Sequence, residues 1–219
     1  MTGTKPTAKS TTRPTIFIVD DDVSVRESLE SLVAHAGWRA EVFASGREFL
    51  ACSRPPSPGC LLLDVSLPDL NGLELQKHIA GEGAKLPIIF ITGHGDIPMT
   101  VSAMKAGAVE FLIKPLAAAV LLEAIQNALD QSSAAFHEQA NLQALHERHQ
   151  SLTEREREVM ALVVKGRLNK QVGGELGISE ETVKTHRGRV MRKMQASSLA
   201  ELVIIDTKLH VQDTVSSSR

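Results

Sequence analysis

The 219-residue chain contains no tyrosine, one tryptophan and two cysteines, and aromatics make up only 3% of it. Its cores must therefore be built from aliphatic side chains. Cys52 and Cys60 lack the spacing of a metal-ligand pair, and Cys60 opens an apolar run. This argues against a disulfide framework and for a reduced, cytoplasmic protein. Long hydrophobic runs are missing too. No stretch approaches the roughly 18 to 20 apolar residues that cross a bilayer, so no membrane partner is expected. Residues 1–14 are rich in Thr and Lys without the apolar segment of a secretory signal, and read as a flexible tail.

A strong charge of one sign is also lacking, but the formal net charge of −2 conceals an uneven distribution. Residues 1–130 carry 11 basic against 15 acidic side chains, whereas residues 151–219 carry 12 against 9. Acidic and basic chemistry thus fall in different halves. The length suits two domains, each able to bury its own core.

In the first half, short apolar runs alternate with helical patterns. "IFIVD" (16–20), "AEVF" (40–43), "CLLLD" (60–64), "PIIFIT" (87–92) and "VEFLI" (109–113) read as five strands. Segments near 24–36, 46–53, 71–80, 97–106 and 117–130 carry apolar residues at helical spacing. Alternating βα units predict a five-stranded parallel sheet, doubly wound and flavodoxin-like, with helices on both faces. Such sheets bind ligands beyond the carboxyl ends of their strands, where strand order reverses. Those ends carry Asp20, Asp21 and Asp22, then Asp64, Thr92 and Lys114.

Adjacent carboxylates repel one another unless a cation intervenes. Mg2+, a hard ion that takes oxygen ligands, would draw the acids together. Asp64 could then attack a phosphoryl group and form an aspartyl phosphate. Lys114 and the Thr92 hydroxyl are placed to hold the transferred oxygens. Asp22 is the expected spectator, beginning a loop or capping the next helix.

Residues 131–150 contain neither Pro nor Gly and read as a helical linker. Thr153 and Glu156 then fit a capping box, and further helices are expected near 169–176, 180–194 and 198–208. In "ELGISEETV", Gly177 suits a left-handed helix end and Ser179 caps the next helix, the pattern of a helix-turn-helix. The second of these helices has Val183, Val190 and Met194 on one face, with His186 on the same side as a packing residue. Lys184, Thr185, Arg189 and Arg192 lie elsewhere on it, giving a basic surface.

"VDDD", "LLLDVSLPDLNG", "FITGHGD" and "FLIKP" resemble, in order, the motifs of the receiver domain of bacterial two-component response regulators. "LTEREREVMALV" and "NKQVGGELGISEETVKTH" resemble the all-α, four-helix DNA-binding domain of the LuxR and NarL type. The whole chain is similar to the FixJ branch. The expected layout is a receiver over residues 15–130, the linker over 131–150, a helix-turn-helix domain over 151–208 and a tail over 209–219.

The resemblance makes Asp64 the phosphoacceptor, Asp20 and Asp21 the acid pair, and the backbone carbonyl of Ser66 a further Mg2+ ligand. It makes Thr92 and Lys114 phosphate-sensing residues and Phe111 the switch aromatic, and it puts a phosphorylation-dependent homodimer surface over residues 99–111. Base reading would fall to Lys184 and Thr185, aided by Arg189, and phosphate contacts to Asn169, Lys170, Thr182 and Arg192. The implied partners are a cognate sensor histidine kinase and double-stranded promoter DNA, with RNA polymerase as a further contact of a promoter-bound regulator. Gly188, at a family base-reading position, and Gly173 and Gly174 in the supporting helix depart from the usual pattern. A Mg2+-dependent phosphatase with an aspartyl nucleophile, and a DNA binder or scaffold indifferent to phosphorylation, are the alternatives.

Overall fold

The computed structural model describes residues 13–54, 56–81, 86–93 and 95–216, with side chains through 210. The expected N-terminal tail lies almost wholly outside them. Five strands pair in parallel in the order β2-β1-β3-β4-β5. They are β1 (Thr15–Val19), β2 (Arg39–Phe43), β3 (Gly59–Asp64), β4 (Ile88–Thr92) and β5 (Glu110–Ile113). Helices α1 (Val23–His35), α2 (Gly46–Ala51), α3 (Gly72–Gly81) and α4 (Ile97–Lys105) alternate with them, and α5 (Ala118–Gln150) follows. The segment expected near 46–53 is helical only to Ala51, since Cys52 is already extended.

Side chains alternate across a strand, so each central strand feeds two cores. Ile16, Ile18, Cys60, Leu62, Ile89 and Ile91 pack with Leu29 and Val33 of α1 and Leu121, Ile125 and Leu129 of α5. Phe17, Val19, Leu61, Leu63, Ile88 and Phe90 pack on the opposite face with Phe49 of α2, Leu75 and Ile79 of α3 and Ala103 of α4. Burial on both faces explains why these strands read as unbroken apolar runs. It also pushes the Cys60 thiol up to about 12, which keeps it protonated and unreactive. Strand order reverses about β1, which pairs with both β2 and β3, so the crevice opens beside the ends of β1 and β3.

The chain divides into two compact units, one ending at Phe136 and the other beginning at His137. The division falls inside α5, an unbroken helix of 33 residues that includes the whole of 131–150. Ser132, still within the first unit, is buried and accepts a hydrogen bond from the Gly59 amide at 3.0 Å.

The second unit contains α6 (Glu154–Val163), α7 (Asn169–Leu176), α8 (Glu180–Met194) and α9 (Leu199–Ser216). Its core joins Leu152, Val159, Met160, Val163, Val172, Val183, Val190, Met194, Leu202 and Ile205. Thr153 and Glu156 form the capping box, and Ser179 accepts from the Thr182 amide. Gly177 ends α7 at φ 66°, the left-handed conformation that favours glycine. Helix α9 continues past residue 208, where the sequence suggested a tail, to Ser216.

Candidate functional site

The carboxylates of Asp20, Asp21 and Asp64 each offer an oxygen within 4.8 Å of the others. Pairing of β1 with β3 places the ends of these strands side by side, with Val19 opposite Leu63. Asp20 is fully buried. Its Oδ1 accepts from the Asp22 amide at 2.9 Å, its Oδ2 from Lys114 Nζ at 2.7 Å, and its carbonyl from Arg26 Nη1 at 2.6 Å. Asp64 is also buried, its Oδ2 lying 3.4 Å from Lys114 Nζ and its Oδ1 accepting from the Ser66 amide at 3.3 Å. Asp21 is exposed at the mouth. Asp22 caps α1, accepting from the Ser24 and Val25 amides, one of the two placements expected for it.

Burial pushes the Asp20 carboxyl above its usual value, opposed by the Lys114 hydrogen bond, the Asp22 amide and the Lys114 charge. Burial pulls Lys114 down, but its hydrogen bond to Asp20 and the charges of Asp20 and Asp64 outweigh this, so it stays above the ordinary lysine value. Three carboxyl groups and one ammonium thus share a pocket of oxygen donors. That donor set fits a hard divalent cation such as Mg2+. The acidic pocket that the receiver resemblance implies is therefore present.

Thr92 ends β4 and is fully buried, and its carbonyl accepts from the Lys114 amide at 2.8 Å. The Lys114–Pro115 peptide is cis. Phe111 on β5 is half-buried, its ring 6.0 Å from that of Phe90. Gly95 lies against it, since a Cβ there would meet Phe111 Cε1 at 3.0 Å. Close approach also explains Gly72, whose Cβ would lie 2.6 Å from the Asp64 carbonyl.

The loop after Asp64 has an anchor that sequence reasoning missed. Asp69 accepts from the amides of Gly46 and Arg47 at 3.2 and 2.9 Å, tying this loop to the start of α2. Those backbone hydrogen bonds, the one from Arg47 foremost, hold its carboxyl below the usual range. In the sequence, Asp69 reads only as a turn residue of "LPDLNG".

In the second unit, α7, the turn at Gly177 and α8 form a helix-turn-helix. Lys170, Thr182, Lys184, Thr185, Arg189 and Arg192 are exposed, and Asn169 is half-buried. Not all of their polar atoms point outward. The Asn169 Oδ1 accepts from Arg187 Nη1 at 3.1 Å, joining α7 to α8. The Thr182 hydroxyl pairs with Ser179 Oγ at 2.8 Å, Thr185 Oγ1 donates to the Glu181 carbonyl, and Lys184 Nζ lies 3.3 Å from Glu181. His186 is half-buried and its Nδ1 has no partner among the described residues, consistent with a packing role.

Two further tethers have no local sequence signal. Lys193 Nζ donates to Glu156 at 2.6 Å and to the Ser151 carbonyl at 2.9 Å, clamping the end of α8 to the start of α6. Arg155 donates to the Leu176 carbonyl at the end of α7.

Residues 16–126 match the family described as response regulator receiver domain, and residues 150–205 match bacterial regulatory proteins, luxR family. The chain is 45% identical to nodulation protein W of Bradyrhizobium diazoefficiens over 93% of its own length and 89% of the relative's. It is 42% identical to the transcriptional regulatory protein FixJ of Rhizobium meliloti over 86% of its length and 93% of that protein's. A low-resolution structure of the response regulator StyR superposes with a TM-score of 0.82 at 46% identity, covering 90% of this chain and 99% of that one.

Proposed function

The chain belongs to the two-component response regulators that join a receiver to a LuxR-type DNA-binding domain, and from that premise we propose that Asp64 accepts its phosphoryl group from a cognate histidine kinase. Family membership makes it a transcription regulator rather than a phosphatase. The observation that carries the choice of Asp64 is the pocket itself: Asp20, Asp21 and Asp64 within 4.8 Å, with Lys114 spanning two of them.

Asp20, Asp21, Asp64 and the Ser66 carbonyl would hold Mg2+, which supplies positive charge against the transferred oxygens. Asp64 is the nucleophile. Phosphorylation adds close to two negative charges beside it, so Lys114 is drawn from its 2.7 Å contact with Asp20 toward the new oxygens. Because the Lys114 amide is bonded to the Thr92 carbonyl, the two sensing residues lie on neighbouring, hydrogen-bonded strand ends. Thr92 donates its hydroxyl to the phosphoryl group, and Phe111 moves further into the space beside Phe90.

Shifting a two-state equilibrium from 1:99 to 99:1 takes about 5.5 kcal/mol. Each charge-assisted hydrogen bond from Thr92 or Lys114 supplies about 1.5–3 kcal/mol. That leaves a small remainder, which dimer formation provides. Support for a face on α4, β5 and α5 comes from exposed apolar side chains: Ile97, Val101 and Met104, Ile113, and Val120. Paired chains present two α8 helices to a promoter, where Lys184 and Thr185 read bases with Arg189 beside them. Asn169, Lys170, Thr182 and Arg192 contact phosphates. Joining two modules raises affinity through effective concentration.

Among the described residues no helix is long and apolar enough to cross a membrane. We place the regulator in the cytoplasm with its kinase and the chromosome, and assign residues 15–130 to the receiver function, 131–150 to the connection and 151–208 to DNA binding. RNA polymerase is the contact through which a promoter-bound dimer acts.

The test is labelling with a small-molecule phosphodonor followed by promoter binding. Asp64→Asn, or chelation of Mg2+ from the native protein, should abolish labelling and the donor-stimulated rise in binding. A binding response that survives Asp64→Asn refutes the switch.

A further inference from the structure

Gly188 occupies the middle of α8, yet nothing among the described residues requires glycine there. A Cβ built on it meets no atom within 4 Å, and its φ is not positive. Gly173, by contrast, would bring a Cβ within 2.7 Å of the Ile178 carbonyl, and Gly177 needs its left-handed backbone. A glycine inside a helix is disfavoured against alanine. The absent side chain at 188 therefore has its reason, if any, outside the folded chain.

Its surroundings indicate where. On a helix the neighbours of position 188 are three and four residues away, namely Lys184, Thr185, Met191 and Arg192. Lys184, Thr185, Gly188 and Arg192 are all exposed, while Met191 turns partly inward. Gly188 is thus a notch in the outward face of α8, with a cation one turn to either side. Lys184, given above to base reading, and Arg192, given to phosphate contact, border the notch, so Gly188 lies on the face of α8 turned to the groove.

We propose that Gly188 is a steric specificity determinant, whose missing side chain lets the backbone of α8 close on the major groove and receive the 5-methyl group of a thymine. This rests on α8 being the groove-binding helix. A position without a side chain cannot select a base by hydrogen bonding, so it selects by shape. In the major groove the thymine methyl is the apolar projection that distinguishes one base edge from the rest.

The experiment uses the full chain treated with a phosphodonor. Duplexes are selected from a random pool with the wild type, and the selected duplex is then titrated with the wild type and with Gly188→Ala. The alanine variant should melt no lower than the wild type, because its methyl group meets open space. It should nonetheless bind the selected duplex at least tenfold more weakly, with unselected DNA bound equally by both. Replacing thymines one at a time by deoxyuridine should reveal one position per half-site where loss of the methyl weakens the wild type about fourfold. The same replacement should leave the alanine variant unaffected. Equal affinity of the two proteins for the selected duplex overturns the proposal, and a weakened variant without any deoxyuridine-sensitive position overturns the thymine assignment. If the wild type selects no duplex at all, it is the DNA-binding reading of α8 that has failed.

Discussion

Substituting Lys193 by Met should destabilise the DNA-binding unit at neutral pH, and by less in acid. Glu156 is only 2% exposed, and it accepts from the Thr153 amide at 2.9 Å and from Lys193 Nζ at 2.6 Å. Met keeps most of the apolar stem but removes the ammonium. The direct losses are the charge-assisted hydrogen bond to Glu156, about 1.5–3 kcal/mol, and the bond to the Ser151 carbonyl, an acceptor that does not titrate. The Lys193 side chain is 35% exposed, so water partly replaces it, and the Thr153 amide still covers the carboxylate. The lower part of the range, about 1.5–2 kcal/mol, is therefore expected. In a unit of this size each kcal/mol moves the thermal midpoint by about 4–8 °C, giving a fall of roughly 6–16 °C. The Lys193 hydrogen bond, opposed by burial and assisted by the Thr153 amide, holds the Glu156 carboxyl below its ordinary 4.5. A carboxylate depressed in this way contributes in full above its unfolded value and loses that contribution as the pH falls through the folded one. The gap between wild type and variant should thus be complete at neutral pH and narrow as the pH drops below 4.5, down to what the Ser151 bond contributes. Trp38 is the chain's one tryptophan and packs, partly buried, against the receiver core, so its fluorescence reports that unit alone. Far-UV circular dichroism, with that transition subtracted, follows the helical second unit. An unchanged second-unit midpoint at neutral pH, or a gap of equal size at about pH 3, would refute the role given to this pair.

Neighbouring glycines of α7 should respond to alanine with opposite signs. Gly173→Ala forces a Cβ within 2.7 Å of the Ile178 carbonyl and should cost about 1–3 kcal/mol, whereas Gly174→Ala meets nothing and should stabilise by up to about 1 kcal/mol. Thermal melts of the two variants followed by circular dichroism check this. Asp69→Ala removes the acceptor of two α2 amides while Ser45 still caps that helix, so the receiver should lose about 1 kcal/mol, read from Trp38 fluorescence in urea. Full retention of stability there would show that the loop is held by other contacts.

What the sequence disclosed follows from where the physical constraint sits. The β3 strand is buried on both faces, so "CLLLD" announces both the strand and the acid at its end. Parallel pairing then makes convergence of Asp20 and Asp64 nearly unavoidable, because strands joined by right-handed crossovers deliver their carboxyl ends to one edge. Caps were legible for a similar reason, since Thr153 with Glu156 and Ser179 with Thr182 act over three residues. The bonds that lock these pieces together were not. Lys193 meets Glu156 across 37 residues, Asp69 meets the start of α2 across more than 20, and Arg187 meets Asn169 across 18. No periodicity records such a meeting; each depends on how two finished elements pack. Glycines divide along the same line. Gly177 is explained by backbone conformation and was legible, Gly173 is explained by packing and became legible only in the structure, and nothing in the structure explains Gly174. The same logic governs the two functional ends of the molecule. At Asp64, site and scaffold constraints coincide, since the strand that builds the core also delivers the carboxylate to the acidic pocket. On α8 they separate: Val183, Val190 and Met194 fix the helix from inside, while Lys184, Thr185 and Gly188 are exposed and take no part in that core. A buried scaffold therefore determines that α8 presents this face, and leaves the identity of the side chains on it unconstrained by the core.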